Sequence, residues 1–169
     1  TGAGKGFGVE IAKEFYAHGA KLALITRSQE DVDSLMAKFD RERVLFVCGD
    51  VSDGNEVNQF ISQTIDKFGV VDVLVNNAGM RFRKKFLEIG NDELDEVLSV
   101  NLKSVVSLCQ KVLPHMIRNK SGKIINMASI AGALGFSDLS GYVMSKAAII
   151  GLTKSLAIEF AEKIYKLTH

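Results

Sequence analysis

The sequence has no tryptophan, one proline (Pro114), two cysteines and three histidines among its 169 residues. Cys48 and Cys109 stand far apart and in no metal-ligand spacing, and His18, His115 and His169 share no motif with them. Neither a disulfide framework nor a metal centre is expected. Two such thiols fit a reducing, cytoplasmic setting. No apolar run is long enough to span a bilayer, and no signal-peptide pattern opens the chain. An excess of one charge is lacking too. With 21 Lys and Arg against 20 Asp and Glu, the net charge of +1 gives no field for nucleic acid or an anionic membrane. There is no low-complexity tract, linker or repeat, so residues 1–169 read as one domain.

What is present is an alternation. Residues 6–18 are expected to be helical, 21–26 (KLALIT) a strand, and 28–39 a helix capped by Ser28. A strand follows at 43–47, then a helix from about 53 to 68, capped by Ser52 and stopped by Gly69. Residues 72–76 (DVLVN) form a third strand, 92–118 a long helix, 122–129 (GKIINMAS) a fourth strand, and 142–163 a last helix. Short apolar strands between amphipathic helices imply an α/β fold, a doubly wound parallel sheet of the Rossmann type covered on both faces.

The chain opens on Thr1-Gly2-Ala3-Gly4-Lys5-Gly6-Phe7-Gly8. Glycines at this spacing let the backbone turn tightly and approach a pyrophosphate on a helix N-terminus. It is not a mononucleotide phosphate loop, because Gly6 rather than Ser or Thr follows Lys5. Such a fingerprint follows a central strand directly, so the sequence is expected to be incomplete at its start, lacking that first strand. Further on, Ser129, Tyr142 and Lys146 form Ser-x12-Tyr-x3-Lys. Tyr and Lys four apart share one helix face. There an ammonium favours a phenolate that exchanges a proton with a substrate oxygen, while a strand-end Ser129 donates to the same oxygen.

The glycine loop, Asn76-Asn77-Ala78-Gly79 after a strand, Asn101 in SVNLKS, and Ser129/Tyr142/Lys146 together resemble the short-chain dehydrogenase/reductase family. The likeness runs in order from Thr1 to about Ala161, and its glycine spacing is similar to that of the single-domain branch. The resemblance implies a nicotinamide-dependent oxidoreductase acting on a carbonyl or secondary alcohol, with Tyr142 as general acid/base. Lys146 would assist Tyr142 and bind the nicotinamide ribose, and Ser129 would orient the substrate carbonyl. Asn101 would hold a helix distortion and a water leading to Lys146. Gly2, Gly4, Lys5, Gly6, Phe7, Gly8, Asn77, Ala78 and Gly79 would lie along the cofactor, and Asp50 with Val51 beside the adenine. The family's Pro-Gly motif after the last helix has no counterpart, which leads us to expect a missing C-terminal segment as well.

The strand after the glycine loop ends in Thr26 and Arg27, with Lys5 inside the loop. Two cations and no acid suit a 2′-phosphate, so NADP is expected, with NAD as the alternative. Arg81, Arg83, Lys84 and Lys85 follow Asn-Ala-Gly and would attract a carboxylate- or phosphate-bearing small-molecule substrate. The local pattern is similar to gluconate-type reductases, the core motifs equally to 3-oxoacyl-carrier-protein reductases. Helices 98–116 and 142–160 carry more apolar positions than one core-facing stripe needs. Ile149 among them is expected on an outer face, and a homodimer or homotetramer is expected through these helices. The competing reading is a truncated, non-catalytic nucleotide-binding or assembly relative, separable by the intact mass of the natural product.

Overall fold

A computed structural model of the protein describes residues 1–164; residues 165–169, with His169, lie outside the described residues. Helix α1 (Gly6–Ala17) leads into β1 (Leu22–Thr26), and α2 (Gln29–Met36) connects it to β2 (Val44–Cys48). Helix α3 (Gly54–Phe68) leads to β3 (Val73–Asn76). The helices α4 (Asn91–Leu98) and α5 (Ser104–Asn119) precede β4 (Lys123–Asn126), and α6 (Ser140–Ile164) follows it. Strands β1 and β2 are parallel, with Leu22 opposite Val44 and Thr26 opposite Cys48. Strands β3 and β4 are also parallel, Val73 opposite Lys123 and Asn76 opposite Asn126. Each pair is joined through helical crossovers, as parallel strands require.

Period-two alternation explains why both faces are covered. On β1, Leu24 packs with Ala12 of α1 and Leu35 of α2. Its neighbour Ile25 points the other way, into a core with Val57 and Phe60 of α3 and Leu108, Val112 and Met116 of α5. Between β1 and β3 lies a cavity of about 460 Å³, walled by Leu22–Leu24 on one side and Val73–Val75 on the other. Ile11 and Phe15 of α1 and Phe60 and Phe68 of α3 close its faces. Thr1 and Gly2 bridge one end of it. The Thr1 backbone nitrogen donates to the Val75 carbonyl at 2.9 Å, and the Gly2 N–H to the Ile25 carbonyl at 3.0 Å.

Several element ends differ from expectation, each for a local reason. Ser28 caps α2 as expected, its Oγ accepting the Asp31 N–H at 3.1 Å, but Asp53, not Ser52, caps α3. The Asp53 carboxylate accepts from the Asn55 and Glu56 N–H groups at 2.7 and 3.2 Å, and it meets the positive helix end with a full charge. Ser52 donates instead to Asp50, at 2.7 Å. The fourth strand stops at Asn126, three residues before Ser129. Just beyond it, the Met127 carbonyl accepts from the Lys146 ammonium at 2.6 Å, which takes over the role of a neighbouring strand.

The expected single helix over 92–118 is two helices joined by a wider π turn at Ser99–Lys103. The outer-face assignment of Ile149 is overturned: it is 1% exposed and belongs to the core beneath α6. The outward apolar surface of α6 is carried by residues such as Ile158, 85% exposed. Among the described residues no helix is long and apolar enough to cross a membrane.

Candidate active site

The glycine loop is built by close approach. A Cβ on Gly8 would strike the Gly2 carbonyl oxygen and come within 2.8 Å of the Asn77 side-chain nitrogen. Only glycine lets α1 start so near the preceding turn. At Gly6, by contrast, φ is 54° and nothing lies within 4 Å of where a Cβ would stand, so this side of the loop is open. The N-cap of α1 is Lys5, and its side chain makes no capping hydrogen bond. No side-chain acceptor therefore caps the first turn of α1, whose start at Gly6 is open, and Phe7 is 77% exposed. A glycine cradle opening on such a helix end fits a pyrophosphate.

Asn77, Ala78 and Gly79 follow β3 and clamp this loop. The Asn77 side chain donates to the Thr1 and Gly2 carbonyls at 3.0 and 3.2 Å. In return the Thr1 hydroxyl oxygen accepts from the Asn77 and Ala78 N–H groups at 3.1 and 3.0 Å. The Asn77 carboxamide is thus occupied in shaping the loop. Val51 is buried in the larger core. Asp50 serves the turn after β2, accepting from the Ser52 N–H at 2.8 Å, while its own N–H donates to Glu56 at 2.6 Å.

At the end of β1, Arg27 is exposed. The expectation of two cations and no acid does not hold there. Asp31, in the first turn of α2, lies 3.5 Å from the Lys5 ammonium and accepts from the Thr26 hydroxyl at 3.3 Å. Burial pushes the Asp31 carboxyl up, but the Ser28 hydrogen bond and the Lys5 charge outweigh it, and the group sits below its ordinary value. The sequence places Asp31 four residues beyond Arg27. The turn of α2 brings it back against the loop.

On the chemical side, Tyr142 and Lys146 sit one turn apart on α6, the ammonium 5.8 Å from the phenol ring centre. Lys146 is 6% exposed, and burial holds it below the ordinary lysine range. Ser129 is not a strand residue but the N-cap of a short 3-10 turn at Ile130–Gly132. Its Oγ accepts the Ala131 N–H at 3.1 Å, leaving the hydroxyl proton free to donate. That turn packs directly on α6: a Cβ on Gly132 would come within 2.7 Å of the Lys146 backbone.

Asn101 lies in the π turn and is 1% exposed. Its carboxamide accepts the Met80 N–H at 2.7 Å and donates to the Met80 carbonyl at 2.9 Å and to Ser145 Oγ at 3.0 Å. The helix is distorted at Asn101, whose direct partner on α6 is Ser145. Ser145, fully buried, was not singled out from the sequence. It donates to the Tyr142 carbonyl at 2.7 Å and so links Asn101 to the helix carrying Tyr142 and Lys146. A Cβ on Gly79 would stand 3.3 Å from Asn101 Oδ1 and 3.7 Å from Lys146 Nζ. The loop clamp and the Tyr–Lys helix therefore meet in one site. Among the described residues, no three His, Cys, Asp or Glu side chains cluster as metal ligands.

Comparison with known proteins agrees with this geometry. The family model described as short chain dehydrogenase matches residues 1–166. A 3-oxoacyl-[acyl-carrier-protein] reductase of Staphylococcus epidermidis is 37% identical over 166 residues, covering 96% of this chain and 68% of that protein. A 2-(R)-hydroxypropyl-CoM dehydrogenase of Xanthobacter autotrophicus is 36% identical over 167 residues, covering 95% and 67%. Among solved structures, a short-chain dehydrogenase from Streptomyces avermitilis matches with a TM-score of 0.91 at 33% identity, over 96% of this chain and 60% of that one. A gluconate 5-dehydrogenase from Burkholderia cenocepacia, in complex with NADP and tartrate, matches with a TM-score of 0.88 at 30% identity, over 96% and 65%. The chain spans between 60% and 68% of the length of these four proteins.

Proposed function

The chain belongs to the short-chain dehydrogenases, oxidoreductases acting on CH–OH and C=O groups, and on that premise we propose that it interconverts an anionic carbonyl compound and its alcohol with NADP(H), Tyr142 being the general acid/base. The observation that carries this reading is the buried Lys146 ammonium. It is held between the Met127 carbonyl and the Tyr142 ring, beside the glycine that ends the loop clamp. A bound nicotinamide ring supplies or accepts the hydride. In reduction the Tyr142 hydroxyl gives its proton to the carbonyl oxygen, and in oxidation the phenolate takes it back. Lys146 stabilises the negative charge on the Tyr142 oxygen, and Ser129 donates its free hydroxyl proton to the reacting oxygen. The open first turn of α1, with Gly2, Gly4, Gly6 and Gly8, receives the pyrophosphate. Arg27 and Lys5 receive the 2′-phosphate.

The basic run supports an anionic substrate. From Met80 to Lys85 burial alternates, with Met80, Phe82 and Lys84 inward and Arg81, Arg83 and Lys85 exposed. The inward residues are pinned. Met80 is held by Asn101, and the Phe82 ring lies 3.3 Å from where a Cβ on Gly141 would stand. Lys84 pairs with Glu93 at 2.7 Å and donates its N–H to the Asp138 carbonyl at 2.9 Å. Lys84 is therefore a strut, and the three outward cations remain for a substrate carboxylate or phosphate. The cavity between β1 and β3 fits a further parallel strand joined to Thr1, so that the four described strands belong to a larger sheet. Self-association runs through the outward face of α6.

The experiment is turnover by the full natural chain after Tyr142→Phe. A fall of about a hundredfold or more, with dinucleotide affinity retained, is expected for loss of a general acid/base. Retention of more than about a hundredth of the rate overturns the role of Tyr142. An unaltered protein that binds dinucleotide yet turns over no carbonyl substrate supports the non-catalytic alternative.

A further inference from the structure

The acid that the fold brings to the glycine loop has a consequence for cofactor choice. Asp31 is held from several sides. Its N–H donates to Ser28 Oγ, its Oδ2 accepts from Thr26, and its Oδ1 faces the Lys5 ammonium at 3.5 Å. The Asp31 side chain is 15% exposed, whereas that of Lys5 is 81% exposed. The carboxylate is therefore the fixed member of the pair and the ammonium the movable one. A Cβ on Gly4 would come within 2.6 Å of the carboxylate, which places Asp31 against the loop itself. A ribose attached to a pyrophosphate on the first turn of α1 reaches this same corner, between the loop and the end of β1.

We propose that Asp31 is the specificity-determining residue that restrains the preference for a 2′-phosphate, by competing with that phosphate for Lys5 and by opposing its charge. The proposal rests on the dinucleotide-binding reading above. A 2′-phosphate draws Lys5 away from Asp31 and leaves two like charges near each other at the loop. A 2′-hydroxyl instead leaves the Lys5–Asp31 pair intact and finds in Asp31 an acceptor. Arg27 and Lys5 favour NADP; Asp31 keeps the margin narrow and the non-phosphorylated cofactor usable.

Two probes that differ only in the 2′-phosphate separate these effects: adenosine 2′,5′-bisphosphate and adenosine 5′-monophosphate, titrated by calorimetry into the full natural chain. Asp31→Asn keeps the side-chain volume and an acceptor for Thr26, and an unchanged far-ultraviolet circular dichroism spectrum checks that α2 survives. The expected result is binding of the bisphosphate tightened by about three- to tenfold, the size of one like-charge contact a few ångströms apart that is fully screened by water. Binding of the monophosphate should not tighten. Lys5→Gln should weaken the bisphosphate alone. If Asp31→Asn leaves bisphosphate binding unchanged, or tightens both probes equally, the proposal is overturned while the dinucleotide site stands. If the unaltered protein binds neither probe, the dinucleotide reading falls and this proposal with it.

Discussion

Replacing Asn101 by alanine removes one carboxamide and three hydrogen bonds, two to the backbone of Met80 and one to Ser145 Oγ. At a net value of about 1 kcal/mol each, the loss is about 3 kcal/mol. Asn101 is 1% exposed, so water does not readily replace the amide. Met80 is half-buried and recovers some of its bonding, which brackets the loss at roughly 2–4 kcal/mol. That is a large share of the ~5–15 kcal/mol that holds a domain folded, and it lowers Tm by about 4–16 °C. Asn101→Asp sharpens the test. One carboxylate oxygen still accepts the Met80 N–H, but the other faces the Met80 carbonyl, so the variant's carboxyl is pushed above its unfolded value of about 3.9. A raised folded value means that protonation favours the fold. The deficit relative to the unaltered protein should be smallest in acid and grow as pH rises above about 4. Urea denaturation followed by circular dichroism at several pH values measures both effects. A loss below about 1 kcal/mol for the alanine variant, or a pH-independent deficit for the aspartate variant, refutes the account of Asn101 as the tie between Met80 and α6.

Two further outcomes are expected. Cys109 is 2% exposed, and burial pushes its thiol up to about 11, whereas Cys48 is exposed. A disulfide reagent should therefore label Cys48 alone in the native protein and Cys109 only after unfolding; fast labelling of both contradicts this packing. If copies associate through α6, Ile158→Glu should dissociate them on light scattering into folded monomers, while Ile149→Glu should unfold the protein. An assembly indifferent to Ile158→Glu has its seam elsewhere.

The α/β class and the strand positions were legible because each strand is a short apolar run whose neighbours feed two different cores, as Leu24 and Ile25 do. The order of motifs was equally legible, since loop, clamp and Tyr–Lys pair are contiguous words in the chain. What escaped the sequence depends on partners remote in it. The π turn owes its centre to Met80, 21 residues before Asn101. Ser129 leaves the strand because Lys146, 19 residues beyond Met127, takes the carbonyl that would continue it. Asp31 joins Lys5 only once β1 and α2 have folded back on the loop. Ile149 looked outward because the apolar residues of α6 run round much of its circumference, and periodicity alone does not tell core from surface there.

The cavity between β1 and β3 also divides the amides of each strand into two classes of hydrogen exchange. In β1 the even-numbered residues turn toward β2: the Leu22 N–H donates to the Arg43 carbonyl, and the Thr26 carbonyl accepts from Gly49. The odd-numbered ones turn toward the cavity, where the Ile25 carbonyl accepts from Gly2. Strand β3 repeats the division. The Asp72 and Asn76 carbonyls accept from Lys123 and Met127 across β4, while the Val75 carbonyl accepts from Thr1. The amides of Leu24 and Leu74 are thus locked in a parallel ladder. Those of Ala23, Ile25, Val73 and Val75 turn into the slot, where their protons are held only as firmly as whatever occupies it.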